Sequence, residues 1–248
     1  IPYRVPPDDQ LPERLDSVLA VVYLIFNEGY AATSGDTLVR RDLCDEAVRL
    51  GRLLARLMPD EPEALGLAAL MLLHDSRRRA RASESGELVL LENQDRNLWD
   101  RQRIDEGKSL LDRALRLRRP GAYQIQAAIS ALHAEAPHAS ETDWRQIAAL
   151  YATLERCMPS PVVRLNGAVA IAMADGPDVG LARLRSLEEG GALSAYGPFH
   201  AARADLLRRA GRFAEAAVAY RRAIELSGSA PELAFLRRRL HETQLEDG

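Results

Sequence analysis

Residues 200–227, HAARADLLRRAGRFAEAAVAYRRAIELS, decide the fold because they encode two helices joined by a tight turn. Ala204 places a small side chain in the first helix, and Gly211 and Phe213 form the turn. The second helix then has small, large and small side chains in order, at Ala216, Tyr220 and Ala223. Small residues at such positions let paired helices approach closely, because a bulky side chain would hold them apart. The stretch therefore predicts a helical hairpin.

The same punctuation recurs along the chain. Pro or Gly follows the last apolar position of a helical pattern in MPDEP (58–62), RRPG (118–121), MPSP (158–161) and SGSAP (227–231). Between these breaks the apolar residues recur every three or four positions, which is helical spacing. The pattern predicts about eleven helices, at residues 14–31, 40–57, 61–76, 100–117, 121–135, 141–157, 160–174, 177–188, 194–210, 213–227 and 230–244.

Residues 194–227 resemble a tetratricopeptide (TPR) repeat, and the other hairpins follow that pattern approximately. The resemblance implies an all-α fold, a superhelical stack of antiparallel helix pairs. Such stacks present a concave face that binds partner segments through the first helix of each pair. On that face, the candidate contacts at the C-terminal end are His200, Arg203 and Arg208.

Composition excludes several classes of function. The 248 residues carry a net charge of -3 and are 47% hydrophobic. No apolar run reaches the roughly 20 residues that cross a bilayer, so we expect a cytoplasmic protein without a membrane partner. Arginines cluster at residues 77–81, 116–119 and 237–239, near predicted helix ends where positive charge offsets the helix dipole, so we expect no direct DNA binding. Cys44 and Cys157 lie in apolar helical patterns and are expected to be reduced core residues.

No enzyme motif stands out. Phosphate-binding glycine loops, His-Glu-x-x-His, Cys-x-x-Cys and Gly-x-Ser-x-Gly are missing from the sequence, and no pair of histidines has the three- or four-residue spacing of ligands on one helix face. We therefore expect no catalytic residues, no metal and no cofactor.

Two polar stretches interrupt the helical pattern. The first predicted helix runs from apolar residues directly into Asn27, Glu28, Gly29 and Tyr30. A long irregular segment, near residues 77–100, ends in LENQDRNLWD (91–100). Loops of this length inside a compact domain are usually functional or disordered, and this composition is too mixed for disorder. The candidate interaction or ligand surface comprises Asn27, Glu28, Tyr30, Glu92, Gln94, Asp95, Arg96, Trp99 and Asp100.

Two interpretations of this surface remain open. Tyr30 and Trp99 are either core aromatics whose polar tips find partners, or parts of one polar surface or pocket at the N-terminal end of the stack. On the second interpretation, separate substitution of Asn27 and Trp99 impairs function while thermal stability stays within roughly 1 kcal/mol of the parent.

Four stretches suggest a family. The first is IPYRVP (1–6) with RLDSVLAVVYLIFNEGYAAT (14–33), and the others are LENQDRNLWDR (91–101), GAYQIQAAISALHA (121–134) and VVRLNGAVAIA (162–172). In this order they resemble the long C-terminal region of one group of extracytoplasmic-function (ECF) bacterial sigma factors. The resemblance implies a TPR-like extension that follows the promoter-reading domains. Those domains would lie upstream of Ile1, and no basic recognition helix is evident in this sequence.

The resemblance also sets the expected organisation and function. Residues 1–12 are expected to be a linker and residues 13–248 one TPR-like domain, with a divergent half (13–136) and a more regular half (137–248). We expect a regulatory, protein-interaction role through contacts with the sigma domains of the same polypeptide, core RNA polymerase or a partner protein. The alternative is a small-ligand sensor, with a pocket built from Glu28, Tyr30, Gln94, Arg96 and Trp99.

Overall fold

The computed structural model describes residues 11–30, 40–83 and 87–246. These ranges form eleven α-helices: α1 Leu11–Tyr30, α2 Arg41–Leu57, α3 Pro62–Asp75, α4 Arg101–Arg116, α5 Ala122–Glu135, α6 Trp144–Cys157, α7 Pro161–Asp175, α8 Pro177–Glu189, α9 Gly197–Arg209, α10 Phe213–Leu226 and α11 Ala230–Glu246. Within the described ranges, pairing of extended backbone is limited to one isolated bridge between Ala82 and Leu88. The all-α prediction is confirmed, and no predicted helix boundary is off by more than three residues.

Consecutive helices pack against each other along the chain, as α1 with α2, α3 with α4, α6 with α7 and α9 with α10. Odd-numbered helices also contact one another, as α1 with α3, α3 with α5 and α7 with α9. This arrangement, in which each pair contacts its neighbours, is that of a helical solenoid. We refer to these odd-numbered helices as the inner layer.

The hairpin of residues 200–227 forms as predicted. Ala204, Ala216 and Ala223 are fully buried at the α9–α10 contact, and Tyr220 fills the space between them. Gly211 has a φ of 70°, in the left-handed region where a side chain is strained, so glycine permits this turn.

Among the residues that the structure describes, the core consists of three apolar clusters. The first joins α1 to α5 around α3, which is buried on nearly every side. The second joins α5, α6 and α7, and the third runs from α7 to α11. Cys44 lies in the first cluster, whereas Cys157 is exposed at the end of α6, so the expectation of a core thiol is wrong for Cys157.

Polar side chains fix several helix starts. Asp100 accepts a hydrogen bond from the backbone N–H of Arg103 at 3.1 Å, and Asp143 does the same for Gln146 at 2.9 Å. Such caps satisfy N–H groups that have no partner inside the helix. Because Asp143 caps α6, that helix begins at Trp144 and not at residue 141.

The predicted linker of residues 1–12 lies largely outside the described residues, which begin with α1 at Leu11. The division into residues 13–136 and 137–248 stays a prediction. Among the described helices, none combines the length and the apolar character that crossing a bilayer requires.

Candidate functional site

The stretch from Asn27 to Tyr30 ends α1 where that helix crosses α2. Gly29 is buried, and a Cβ added to it would lie 2.7 Å from the backbone nitrogen of Cys44 and 2.9 Å from its sulfur. Its φ is not in the left-handed region, and its carbonyl accepts a hydrogen bond from the Arg40 N–H at 2.7 Å. Glycine is therefore needed at this position for the close approach of two helices, and not to turn the chain.

Tyr30 is held by rings and cations. Its ring stacks on Phe26 with centroids 5.4 Å apart, and lies 5.3 Å from the ring of His74. The Arg77 guanidinium donates to the Tyr30 hydroxyl at 3.1 Å. The Arg81 guanidinium lies over the ring, 3.6 Å from its centroid, and also donates to the Tyr30 carbonyl. These contacts fit the interpretation of a packed aromatic with a partnered polar tip.

Asn27 and Glu28 point to different neighbours. The Asn27 side chain hydrogen-bonds to Tyr23, whose hydroxyl also donates to Gln126 of α5 at 3.4 Å. The Glu28 carboxylate lies 3.7 Å from the Arg40 guanidinium. Asn27 is therefore tied to the inner layer of helices, and Glu28 to the start of α2.

The irregular segment between α3 and α4 includes a strap, which we define as residues 87–100. At its start, the Val89 N–H donates to the Arg81 carbonyl at 2.9 Å. At its end, the Asp100 N–H donates to the Ser76 carbonyl at 2.9 Å. Both ends are thus fixed close to the C-terminal end of α3.

Three predicted site residues shape the strap itself. The buried Gln94 donates to the Val89 carbonyl at 3.2 Å, and Asp95 accepts from the Asn97 N–H at 2.9 Å. Trp99 is 3% exposed, with the Arg96 guanidinium 4.6 Å and the Arg77 guanidinium 5.8 Å from its ring centroid. Arg77 therefore lies between Tyr30 and Trp99, and joins the two polar stretches that the sequence singles out.

The strap also reaches distant helices. Arg96 donates from one nitrogen to the carbonyls of His133 and Ala136, at 2.5 and 2.8 Å, at the C-terminal end of α5. Glu92 accepts two hydrogen bonds from Arg209 of α9, at 2.7 and 2.9 Å, although the two residues are 117 positions apart. Glu87 pairs with Arg238 of α11. The strap thus connects the first half of the solenoid to the second.

A buried ion-pair network lies under the start of the strap. The Asp75 carboxylate is fully buried and pairs with Arg78 at 2.6 Å and with Arg103 of α4. Arg78 also pairs with Asp45 of α2 at 2.6 Å. Breaking a buried pair leaves an uncompensated charge, which is strongly destabilising, so this network fixes how α2, α3 and α4 meet. The sequence pattern explained Arg78 by helix-dipole compensation, and it did not predict the pairing of Arg78 and Arg103 with Asp75.

Two neighbouring cavities lie beside the inner layer, and we call them together the channel. The tyrosine cavity, of about 380 Å³, lies between α1, α3 and α5 on one side and α6 and α7 on the other. It is lined by Tyr23, His74, Arg77, Gln126, Ser130, His133, Tyr151, Ser160, Asn166 and apolar residues. The tryptophan cavity, of about 620 Å³, continues toward α9 and is lined by Trp144, Arg96, Glu92, Asp205, Arg209 and mainly apolar residues. Leu91 of the strap and His133 border both cavities.

Burial shifts the ionisation of the groups that line the channel. Burial and, to a smaller extent, the charges of Arg77 and Arg96 together lower the pKa of His133 to about 4. The pKa of His74 is also well below its ordinary value, because of burial and then of Arg77 and Arg81. Burial raises the pKa of Tyr151 to about 12. At neutral pH both histidines and the tyrosine are therefore uncharged.

The nine candidate residues do not form one pocket. Arg96 and Glu92 border the tryptophan cavity, whereas Tyr30 and Trp99 pack on Arg77 behind the tyrosine cavity. On α9, His200 contacts the Ser194 carbonyl at 2.9 Å, Arg203 lies 3.6 Å from Glu188, and Arg208 pairs with Asp205 at 2.8 Å. The α9 residues that face the channel are instead Ala202, Asp205, Leu206 and Arg209.

One curated protein and one family model are similar to this chain. An uncharacterized protein of Rhizobium meliloti (strain 1021) is 50% identical over 246 residues, which is 99% of this chain. The chain spans 58% of the length of that relative. Residues 14–115, from α1 through the strap to α4, match a family of unknown function, DUF6596.

Proposed function

We propose that this chain is the regulatory, protein-interaction region of a bacterial ECF sigma factor. It acts through contacts with sigma domains, core RNA polymerase or a partner protein, and it needs no catalytic residue. The resemblance of four sequence stretches to that family supports the proposal. So does the length of the Rhizobium meliloti relative, because this chain spans 58% of it and the remainder has room for further domains.

The observation that carries the proposal is where these four stretches lie. Tyr23 comes from the first stretch, Leu91 from the second, Gln126 and His133 from the third, and Asn166 from the fourth. All five residues line the tyrosine cavity. Stretches that only stabilised a helical stack would be distributed over its cores. Their convergence on the channel favours a shared functional surface.

The strap gives this surface a route to the rest of the fold. Asn93, Asp95, Asn97 and Leu98 are exposed on it, while its other residues hold α5, α9 and α11. A partner that binds the exposed strap residues changes the position of the strap, and with it the Glu92–Arg209 and Arg96–α5 contacts. Binding at the strap thereby biases how the two halves of the solenoid sit against each other.

Transcription in vitro tests the proposal. The Rhizobium meliloti relative, intact or lacking the region that matches this chain, is combined with core RNA polymerase and genomic DNA, and the transcripts are sequenced. We expect the intact protein to direct initiation at discrete promoters, and the truncation to abolish or increase those transcripts. Transcripts that are identical with and without the region, or no initiation by the intact protein, would contradict the proposal.

A matched pair of substitutions localises the contact. Leu98 on the strap is 39% exposed, and Val218 on α10 is 59% exposed and lies on another part of the surface. We expect Leu98→Asp, at the position equivalent to Leu98, to change transcript yield several-fold. Val218→Asp should leave the yield unchanged. Both substitutions are on exposed positions and should change stability by less than about 0.5 kcal/mol.

The channel favours a second candidate, the small-ligand sensor. The tyrosine cavity has about 380 Å³ of space, within the range of small-molecule sites, and combines apolar walls with a few polar groups. It also contains four side chains with shifted pKa values, which cluster at functional sites more often than elsewhere. A ligand there contacts both Leu91 of the strap and Asn166 of α7, so its binding is coupled to the strap.

A further inference from the structure

Three arginines of the segment between α3 and α4 have only uncharged partners. Arg77 donates to the Tyr30 hydroxyl, Arg81 contacts the ring and carbonyl of Tyr30, and Arg96 donates to two carbonyls of α5. In the described part of the chain, none of the three forms an ion pair with a carboxylate. Arg81 is buried enough for its pKa to be lowered, which reflects the free-energy cost of keeping its charge.

Neighbouring arginines differ in this respect. Arg78 and Arg103 share the carboxylates of Asp75 and Asp45, so that cluster is neutralised within the protein. The fold thus supplies carboxylates on one side of the α3 end and leaves positive charge uncompensated on the other. Partly buried positive charge attracts an anion more strongly than exposed charge does, because the surrounding medium screens it less.

Of the three arginines, Arg77 lines the tyrosine cavity directly. The other polar groups of the lining are neutral donors and acceptors, and no Asp or Glu is among the described residues that line it. Since the pKa values of His74 and His133 are lowered, each presents a neutral imidazole with one N–H donor at neutral pH. A guanidinium with neutral donors around it is suited to a carboxylate or a phosphate.

The rest of the cavity lining is mainly apolar. It includes Leu70, Leu91, Ile129, Leu154 and Val163, and Tyr23 and Tyr151 add aromatic surface. A ligand with a hydrophobic or aromatic body therefore gains burial there, while its charged group stays near Arg77.

We propose that the tyrosine cavity is a binding site for a small organic anion, with a carboxylate or phosphate held by Arg77 and an apolar body packed against α3, α5 and α6. The site does not depend on the transcription proposal, and it gives the ligand-sensing candidate a ligand class. A bound anion supplies the negative counter-charge that Arg77 lacks, next to Tyr30 and Trp99.

The test is titration calorimetry of the full chain with four probes. Benzoate and phenyl phosphate share a ring and differ in the anionic group, so together they distinguish carboxylate from phosphate. Inorganic phosphate lacks the apolar body, and benzyl alcohol lacks the charge. We expect benzoate or phenyl phosphate to bind saturably, with a Kd of about 1 mM or below. Inorganic phosphate and benzyl alcohol should bind at least about tenfold more weakly than that anion.

Three variants locate the site. Arg77→Gln removes the cation, and Asn166→Phe fills the cavity from the α7 wall without touching Arg77. Arg79→Gln is the matched control, because Arg79 belongs to the same arginine run but is exposed and outside the cavity lining. We expect Arg77→Gln to weaken binding about tenfold or more, because a charge-assisted hydrogen bond is lost. Asn166→Phe should weaken binding about tenfold or more because its ring fills the cavity. The Arg79→Gln control should bind as the parent does.

Circular dichroism confirms folding of each variant at the titration temperature, and Asn166→Phe keeps the test valid if Arg77→Gln does not fold. The proposal is overturned if no ring-bearing anion binds, if benzyl alcohol binds as tightly, or if the cavity variants bind like the control. Because calorimetry measures binding alone, this outcome is separate from that of the transcription assay.

Discussion

Substitution of Gly29 by alanine distinguishes a helix crossing from an ordinary helix end. In an open helical position, Gly→Ala stabilises by about 1 kcal/mol through helix propensity. At Gly29 the added Cβ would lie 2.7 Å from the Cys44 backbone nitrogen and 2.9 Å from the Leu43 Cβ. A backbone atom cannot move away by changing rotamer, so α2 must shift, and overpacking of this kind costs about 1–3 kcal/mol. Because the propensity gain offsets part of this cost, we expect a net loss of up to about 2 kcal/mol.

Thermal and urea denaturation measure this loss. For a chain of this length, about 1 kcal/mol corresponds to a decrease of about 2–4 °C in Tm. Gly190→Ala is the matched control, because its φ is -72° and its added Cβ would have only an ordinary contact, 3.5 Å from the Leu187 carbonyl. We expect the control to keep the stability of the parent or to raise it by up to about 1 kcal/mol.

A second substitution tests the mechanism. Combining Gly29→Ala with Cys44→Ala removes the sulfur at 2.9 Å but leaves the nitrogen at 2.7 Å. The double variant should therefore lose less stability than the sum of the losses in the two single variants. Such non-additivity is expected for residues in contact. If Gly29→Ala stabilises the protein by about 1 kcal/mol, as it would in an open helical position, the close-approach reasoning is refuted.

Three further outcomes follow from the site. Trp99→Ala should destabilise the protein by about 3–5 kcal/mol, because Trp99 is only 3% exposed. A loss below about 1 kcal/mol in urea denaturation would instead favour the interpretation of Trp99 as a surface contact. Glu92→Gln should accelerate hydrogen exchange in the strap and in α9 while lowering global stability by about 1 kcal/mol or less; Glu225→Gln, in an exposed pair, should not change exchange there. The lowered pKa of His133 means that its proton binds preferentially to the unfolded chain, so the free energy of unfolding should fall by up to about 3 kcal/mol as pH decreases from 6.5 to about 4. His74 contributes in the same direction. In urea denaturation at several pH values, His133→Gln should reduce the dependence of the free energy of unfolding on pH. An unchanged pH dependence would contradict the lowered pKa of His133.

The fold was predictable because its determinants are local. Apolar spacing of three and four residues and the Pro or Gly after each helix can be recognised without knowing any tertiary contact. The hairpin of residues 200–227 shows this best, since the small residues that pack α9 on α10 are those the pattern identified. The same pattern cannot indicate which helix face is turned to the channel. His200, Arg203 and Arg208 were chosen by residue type, and the structure turns Asp205 and Arg209 toward the channel instead.

The candidate site was predictable only as two unusual stretches. Their composition marked Asn27 to Tyr30 and residues 91–100, but what joins them is Arg77, a member of a run that local physics explains as dipole compensation. Its partners, Tyr30 and Trp99, are separated from it by turns and a strap whose path depends on the whole fold. Gly29 illustrates the same limit, because a glycine near a helix end suggests a turn, and only the position of Cys44 reveals the crossing.

The strap changes what kind of solenoid this is. In a simple stack each helix pair contacts only its neighbours, so stability is a sum of nearest-neighbour terms and the ends can unfold independently. Here Glu92 and Glu87 pair with Arg209 and Arg238, across 117 and 151 positions. These pairs are partly exposed and each contributes modestly, but they oppose separation of α9 and α11 from the first half. The channel between the halves is therefore held at a width that depends on the strap. Because Leu91 of the strap borders both cavities, whatever occupies the channel acts on the same element that closes it.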